Sequence, residues 1–413
     1  MGTGRFGRVS EASAPAQPRL AWLDALRGIG ALAVVAEHMT PWFLPSVRPQ
    51  WFHLGVYGIF VFFLVSGYII PASLERHGDV RTFWLSRVFR LYPLFLAVGL
   101  LVVALHWWVP VREAVERDWA SVAGHATMLL DVVDVAGVAD TMWTLSYEMV
   151  FYLMVTALFM VRLHHRSGLL AMLFAAGAVA TGVLMTRGVL TGGWVAYVSC
   201  AVFVTGLVCL ITGRFRRTAA AVLGVMALTL LVLGSRVPWV GVAVLALMFA
   251  GTAIYRWERG EGRLWPVAVT LVAVACVPFW AIMAGWWWVQ PDIWITTIVL
   301  VAATFAAGMA LRGRRVPRVL VWLGLVSYSL YLVHHPLLRY FTWVSGDLRA
   351  EPLPYQLAMT ALALTMVVLV SAFTYRFVER PMQELGRRIA RSRSSTVPAR
   401  GPAEDASATS AAR

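Results

Sequence analysis

Long apolar runs separated by short polar stretches dominate this chain. A helix needs roughly 20 apolar residues to cross a bilayer, and twelve runs approach that length. They fall at residues 21–39, 54–73, 91–109, 142–161, 169–186, 194–212, 219–235, 239–254, 265–285, 293–311, 320–338 and 356–378. In lipid, every backbone N–H and C=O group must be hydrogen bonded within the protein, which allows only helices and closed β-barrels. The runs lack the alternation of apolar and polar residues that marks the strands of a membrane barrel. We therefore predict an all-α, polytopic membrane bundle with about 10 to 12 transmembrane helices.

The placement of arginine predicts how this bundle is oriented. All 35 residues counted as Lys or Arg are arginine. With the N-terminus in the cytoplasm, 27 of them fall on the cytoplasmic side, counting Arg376 at the cytoplasmic end of the last run. Seven fall in outer loops, and Arg27 lies inside the first run. Because cytoplasmic loops are enriched in positive charge, both termini are predicted to be cytoplasmic, in a bacterial inner membrane. We divide the chain into a polar N-terminal tail (1–18), a transmembrane domain (19–390) and a disordered C-terminal tail (391–413).

Composition agrees with a membrane protein and narrows its partners. Hydrophobic residues make up 60% of the chain and charged residues only 14%. The formal net charge of +14 would suggest nucleic acid in a soluble protein, but here the arginine topology explains it. We therefore expect the lipid bilayer, and no nucleic acid, as a partner. Cys200, Cys209 and Cys276 lie in apolar runs without metal-ligand spacing, so no metal site is predicted.

Charged side chains inside the apolar runs are concentrated in the first one. That run carries Asp24, Arg27, Glu37 and His38, and the fourth run adds Glu148 near its start. Ionisable groups in hydrocarbon cost several kcal/mol each unless they are paired or face a polar cavity. The cluster therefore predicts a functional site.

Helical geometry places three of these groups on one face. At about 100° per residue, Asp24, Arg27 and His38 fall within roughly 60° of one another. Arg27 and His38 are about 16 Å apart along the axis, so they would meet opposite ends of an extended ligand. Gly28 and Ala31 leave room on the same face for a slender ligand or for a neighbouring helix. Asp24 and Arg27 at i,i+3 could also form a simple ion pair.

Glu148 and two arginines complete the candidate site. Glu148 lies about 9 Å into the fourth run, at a depth similar to that of His38, and is predicted to orient its imidazole. The alternative is a hydrogen bond to a neighbour such as Trp143 or Tyr152. Arg87 and Arg90 share one helix face at i,i+3 and lie at the same membrane depth as Arg27, so their guanidinium groups could bind phosphate together. The alternative is that they only reflect the usual enrichment of arginine on the cytoplasmic side.

These residues resemble the signatures of the membrane acyltransferase type 3 family. Arg27 and His38 match its Arg-X10-His motif. Further blocks follow in order: Gly55–Tyr68, Arg87-X-X-Arg90-X-X-Pro93, Trp143–Glu148 with Phe151 and Tyr152, Ser327–His334 with Pro336, and Val378–Pro381. Thr144 replaces the usual Ser of the third block. The family usually has ten or eleven spans, against the twelve runs counted here.

The resemblance implies an acyltransferase that moves a group other than an amino-acyl group. The donor would be acyl-CoA, most often acetyl-CoA, as a co-substrate, with no permanently bound cofactor. The acceptor would be a hydroxyl of a carbohydrate or a glycosylated small molecule, such as a macrolide-type secondary metabolite. Some relatives carry a fused esterase-like domain, but only 32 residues follow Pro381, so we predict the stand-alone form.

The predicted mechanism assigns each candidate a role. Arg27, Arg87 and Arg90 hold the CoA phosphates, His38 takes the proton of the acceptor hydroxyl, and Glu148 orients His38. An acyl-histidine intermediate and direct transfer both stay open, and His334 is either a helper or a packing residue. One alternative is a transporter with the charge cluster as a proton relay, although no counterpart recurs in the second half. Another is an acyltransferase that modifies an extracytoplasmic polysaccharide.

Overall fold

The computed structural model describes residues 20–110, 112–282 and 285–392. These residues form helices and turns, and no strand occurs among them. The α-helices are Ala21–Phe43 (α1), Leu54–His77 (α2), Val80–Ala104 (α3), Trp119–Thr127 (α4), Trp143–Met160 (α5), Ser167–Leu184 (α6), Gly193–Thr212 (α7), Arg216–Leu233 (α8), Pro238–Glu258 (α9), Trp265–Cys276 (α10), Pro291–Ala310 (α11), Arg318–Leu325 (α12), Ser327–Ser345 (α13), Leu353–Thr374 (α14) and Arg380–Ser392 (α15). The predicted tail at 1–18 and nearly all of 391–413 lie outside the described residues.

The prediction of an all-α membrane bundle is confirmed. Within the described ranges, nine helices are long and apolar enough to cross a membrane, and a bent pair would make a tenth. The nine are α2, α3, α5, α6, α7, α8, α9, α11, and α14 continued through a π-helical turn at Tyr375–Glu379 into α15. The bent pair is α12 and α13, which meet at 71°.

Two of the twelve predicted runs differ from a simple crossing. The run at 265–285 contains only the 12-residue α10, followed by a 3-10 turn at Val277–Phe279. Pro278 in that turn has no N–H to continue the helical ladder, so the helix is too short to cross. The run at 320–338 is divided between α12 and α13, whose bend creates a corner inside the bundle.

The first helix lies in the interior although it is not one of the nine apolar helices. Its 23 residues extend about 34 Å, enough to cross the hydrocarbon layer. Helices α2, α12 and α13 pack around it, and most of its residues are buried. By contrast, α3, α7 and α14 expose many leucine and valine side chains, as expected for lipid-facing helices. The charges of α1 are thus enclosed by protein and not exposed to lipid, which lowers the free-energy cost of keeping them in the membrane.

Glycine lets α1 and α12 approach each other closely. A Cβ at Gly28 would lie 2.6 Å from the carbonyl oxygen of Leu320, and one at Gly324 would lie 1.8 Å from that of Asp24. Any larger side chain at either position would collide with backbone. The small face of α1 near Gly28 therefore serves helix packing, and a ligand channel along that face is excluded.

Candidate active site

A cavity opens between α1, α2, α3, α5 and α13 at the level of Arg27. The space between its walls, with the solvent at its open mouth included, is about 550 Å³. We refer to it as the arginine cavity. Its lining residues are Arg27, Ile59, Phe62, Phe63, Ser66, Arg90, Leu91, Thr144, Leu145, Glu148, Ser327, Tyr328 and Tyr331. An apolar wall with a few charged groups is suited to orienting a ligand that has both characters.

Arg27 is held on the cavity wall by the bend between α12 and α13. Its Nη2 donates a hydrogen bond of 2.9 Å to the hydroxyl of Ser327, the first residue of α13. Its Nη1 lies 3.8 Å from a carboxylate oxygen of Asp24, so the i,i+3 ion pair considered from the sequence is formed. The bend between α12 and α13 thus places the Ser327 hydroxyl where it orients the Arg27 guanidinium.

The two arginines of α3 have different surroundings. Arg90 faces the cavity, and it forms no direct hydrogen bond or ion pair within the described part of the chain. Arg87 does not line the cavity. Its guanidinium is buried against the rings of Phe83 and Tyr152, 5.2 and 5.4 Å from their centroids. The structure therefore places Arg27 and Arg90 together in one cavity, with Arg87 stacked on aromatic rings behind them.

Glu148 lines the arginine cavity and not the surroundings of His38. The hydroxyl of Tyr152, one helical turn away, donates a hydrogen bond to its carboxylate. This is the alternative partner that the sequence suggested. Tyr152 also packs edge-on against Phe83, so this face of α5 turns toward α3. No hydrogen bond joins Glu148 to His38, although both side chains belong to the described residues; equal depth in the membrane did not bring them together.

A second buried carboxylate, Glu379, balances the same arginines. It ends the π-helical turn before α15 and is 3% exposed. It accepts hydrogen bonds from Ser329 at 2.7 Å and from Gln383 at 2.9 Å. Glu148 and Glu379 both act electrostatically on Arg27 and on Arg90. Sequence reasoning missed Glu379, although it stands inside the recognised Val378–Pro381 block.

His38 is paired with a second histidine. Its Nδ1 lies 2.9 Å from the carbonyl oxygen of Val34 and 3.3 Å from Nε2 of His334. Nδ1 of His334 in turn lies 2.9 Å from the carbonyl oxygen of Leu330. A carbonyl can only accept, so we assign the proton of each neutral ring to Nδ1. The Nε2 atom of His38 then carries a lone pair and is directed away from its holding partners.

Two further polar groups stand next to His38. Ligand atoms of His38, Asp140 and His335 all lie within 4.8 Å of one another. The rings of His38 and His335 meet edge-on with centroids 5.3 Å apart. Oδ1 of Asp140 is 2.5 Å from a guanidinium nitrogen of Arg112. We call His38, His334, His335 and Asp140 the histidine cluster; nothing in the linear spacing of these residues had indicated it.

Tyr331 connects the two regions. It lines the arginine cavity, and its ring centroid is 6.0 Å from that of His334. Its hydroxyl donates to the carbonyl oxygen of Thr141 at 2.9 Å and lies 2.6 Å from the hydroxyl of Thr144. Tyr331 is therefore in contact with both the arginine cavity and the ring that holds His38.

Glu37, the remaining charge of the first helix, belongs to a structural network. Its carboxylate is 2.6 Å from Arg48 and 3.5 Å from Nδ1 of His53, the residue that caps α2. Burial lowers the pKa of His53 to about 4, with the charge of Glu37 opposing that shift, so His53 is neutral at pH 7. Glu37 thus ties the end of α1 to the start of α2.

Comparison with known proteins decides the family. A family model described as an acyltransferase domain, the type 3 acyltransferases, matches residues 20–375. The chain belongs to this acyltransferase family. No solved structure matches it.

Two relatives match this acyltransferase along most of its length. The acyltransferase MdmB of Streptomyces mycarofaciens is 27% identical over 400 residues, covering 91% of this chain and 94% of MdmB. The O-acetyltransferase OatA of Staphylococcus aureus is 22% identical over 417 residues, covering 94% of this chain. The chain spans only 60% of the length of OatA.

These findings confirm the sequence prediction of a membrane-embedded acyltransferase that transfers groups other than amino-acyl groups. They also agree with a multi-pass membrane location, given the many apolar helices. The motif residues of the family now have positions: Arg27 and Arg90 in the cavity, and His38 in the histidine cluster.

Proposed function

We propose that the chain is an O-acyltransferase that takes an acyl group, acetyl in the simplest case, from acyl-CoA. The observation that carries the donor assignment is the guanidinium of Arg90. It faces the arginine cavity with no direct hydrogen-bond partner among the described residues. Glu148 and Glu379 offset its charge but leave its N–H donors without acceptors among those residues, so the guanidinium is suited to a ligand that brings anionic oxygen acceptors. The phosphates of CoA are such a ligand.

The cavity also suits the rest of the donor. Arg27 and Arg90 supply two planar forks for phosphate oxygens, while Phe62, Phe63 and Leu145 offer an apolar wall for the uncharged arm. Glu148 and Glu379 keep the net charge of the empty cavity low. Arg87 supports this arrangement from behind through its aromatic contacts instead of binding phosphate, which revises the role expected from its spacing.

His38 acts as the general base in this proposal. Because Nδ1 is hydrogen bonded to Val34 and His334, the acceptor hydroxyl meets the unprotonated Nε2. As Nε2 takes the hydroxyl proton, the hydroxyl oxygen attacks the thioester carbon and CoA leaves as the thiolate. The positive charge that forms on the ring is shared with His334 through Nδ1–H. Direct transfer needs only these groups; an acyl-histidine would use the same Nε2 as nucleophile.

The names of the relatives guide the acceptor assignment. One is an O-acetyltransferase, which favours a hydroxyl acceptor and an acetyl group. Of the acceptors that the family resemblance implies, we propose a hydroxyl of a small molecule, such as a glycosylated macrolide-type metabolite. A surface polysaccharide is the alternative acceptor. We also propose, from the arginine asymmetry, that the protein lies in a bacterial inner membrane with both termini on the cytoplasmic side.

The experiment uses purified full-length protein in lipid nanodiscs with acetyl-CoA. Release of free CoA thiol is followed with and without a panel of glycosylated small molecules and cell-wall sugars, and products are identified by mass spectrometry. We expect thiol release that depends on one acceptor class, together with gain of one acetyl group on that acceptor. Acyl transfer from a non-CoA donor, with acetyl-CoA inert, would contradict the proposal. Metabolite and surface-glycan profiles of a deletion strain identify the acceptor independently.

A further inference from the structure

The histidine cluster has the composition of a metal site. His38, His335 and Asp140 each offer a ligand atom, and these atoms lie within 4.8 Å of one another. Two imidazoles and one carboxylate form a ligand set that zinc uses in proteins when a fourth position is left open. The three residues are far apart in sequence, at the end of α1, before α5 and within α13. The bundle therefore assembles the set, which makes the arrangement a property of the fold.

We propose that His38, His335 and Asp140 bind a divalent transition metal, with zinc as the preferred ion, and that the bound ion switches off acyl transfer. The inhibitory part rests on the function proposed above for His38. Inhibition follows because the metal takes the Nε2 lone pair that the acceptor proton needs. The binding part rests on the geometry of the three side chains alone.

The lone pairs required for coordination are available in the structure. Nδ1 of His38 carries the ring proton, so Nε2 can ligate a metal without breaking the contacts to Val34 and His334. Nδ1 of His335 is buried and has no hydrogen-bond partner in the described parts of the chain. An unsatisfied polar atom in the interior costs about 1–3 kcal/mol, a cost that a ligand could offset.

The distances need only a small adjustment. Zinc bonds of about 2.1 Å in tetrahedral geometry place ligand atoms about 3.4 Å apart. The present upper limit of 4.8 Å must therefore close by about 1.4 Å or less. Asp140 is the most exposed of the three residues and can supply this movement by side-chain rotation. Imidazole favours zinc over magnesium or calcium, which prefer oxygen ligands.

Arg112 limits the affinity of the site. It binds Oδ1 of Asp140 at 2.5 Å and donates to the carbonyl oxygen of Gly137 at 3.0 Å. Arg112 and Arg339 also act electrostatically on His335. Two nearby positive charges oppose a cation, so we expect a reversible, regulatory affinity in place of a permanently held ion.

The binding test uses Co²⁺ as a spectroscopic probe on purified full-length protein. Coordination by imidazole and carboxylate in a four-coordinate site gives visible absorption bands that aqueous Co²⁺ lacks. We expect these bands to saturate, to be displaced by Zn²⁺, and to be lost in His335→Ala and Asp140→Asn. His106→Gln, which changes a histidine outside the cluster, is the matched control and should keep them. Absence of the bands in wild type, or their persistence in both cluster variants, would overturn the site.

The inhibition test measures acyl transfer while Zn²⁺ is titrated. We expect the midpoint of inhibition to rise at least roughly tenfold in His335→Ala and in Asp140→Asn. Arg112→Gln should lower the midpoint, because Asp140 is released from its competing partner. Equal midpoints in wild type and all variants would overturn the proposal. Co²⁺ binding without inhibition by Zn²⁺ would overturn the switch and count against His38 as the base, while leaving acyl-CoA as the donor.

Discussion

The arginine cavity and the histidine cluster differ in how their buried polar groups are stabilised: by opposite charges in the cavity and by hydrogen bonds in the cluster. In the cavity, the charges of Arg27 and Arg90 are set against those of Glu148 and Glu379. In the cluster, the His38–His334 contact is between imidazoles, and each ring is tied to a backbone carbonyl. The carboxylate of Asp140, beside these rings, is paired with Arg112.

This difference indicates what each region has to do. A site for an anionic donor needs full positive charge that is already desolvated and held in place, and compensating carboxylates keep it stable before the ligand arrives. A general base needs an imidazole that is neutral before it takes a proton, which neutral partners favour more than a carboxylate would. The predictions that follow separate these two tasks, beginning with the largest expected effect.

Removal of the base should have the largest effect on transfer. General base catalysis contributes roughly 10²- to 10⁴-fold, so His38→Ala should lower the transfer rate by a factor in that range. The variant should remain folded, because it deletes a polar group from a membrane helix. Single-turnover measurements with purified protein test this, with thermal unfolding as the stability control. Transfer within a few fold of wild type would remove His38 from the mechanism.

The two arginines of α3 should separate donor binding from packing. Arg90→Lys keeps the charge but loses the planar fork, and Arg90→Ala loses both, so the dissociation constant for CoA should rise progressively. One or two charge-assisted bonds, at about 1.5–3 kcal/mol each, predict a rise of roughly tenfold to a hundredfold or more in Arg90→Ala. Arg87→Lys is the matched control and should act mainly on thermal stability, because Arg87 stacks on Phe83 and Tyr152. Calorimetric titration is the measurement, and equal loss of CoA affinity in the two lysine variants would contradict the distinction.

His334 should act as a positioning residue for His38. His334→Ala removes one of the two acceptors of Nδ1–H, the other being the carbonyl oxygen of Val34. We expect kcat to fall by about tenfold, the equivalent of 1.4 kcal/mol, while KM for acyl-CoA stays the same. His334→Gln places an amide oxygen near the former Nε2 and should recover part of kcat. Steady-state kinetics distinguish this from a packing role, in which kcat would follow the loss of stability and glutamine would give no rescue.

Glu148 should show the smallest effect, and on the donor side. Glu148→Gln removes a charge that acts on Arg27 and Arg90 but keeps an acceptor for Tyr152. We expect a change of a few fold in KM for acyl-CoA with kcat nearly unchanged, since an exchange of one hydrogen bond is worth about 1 kcal/mol. A large drop in kcat together with an altered pH profile would instead support the sequence-based assignment, in which Glu148 orients His38.

The local signals in the sequence predicted the fold well because lipid permits few alternatives. Apolar length and the absence of alternation were enough for an all-α bundle, and each of the twelve runs contains helix. Local signals did not predict where a helix is interrupted by its contacts with neighbouring helices. The bend before Ser327 places that hydroxyl against Arg27, and it follows from the fit of Gly324 against the backbone of α1. Such a fit is invisible in a hydropathy profile.

Local signals pointed to candidate residues of the site but not to their pairings. Charges inside apolar runs drew attention to Arg27, His38 and Glu148, since their cost requires an enclosed polar region, and their roles stay predictions. Position along the helices predicted that Glu148 and His38 lie at the same membrane depth. The side chain of Glu148, however, is on the face of α5 that is turned toward α3. Residues such as Glu379 and His335 join through tertiary packing, which spacing along one helix cannot reveal.

The central claim is that donor binding and proton abstraction are carried out by separate groups. The most direct test is the affinity of acetyl-CoA for His38→Ala, measured by calorimetry beside wild type and Arg90→Ala. We predict that His38→Ala binds acetyl-CoA within about twofold of wild type while transferring the acetyl group at least roughly a hundredfold more slowly, because binding depends on the arginine cavity. A loss of affinity in His38→Ala as large as that in Arg90→Ala would contradict it.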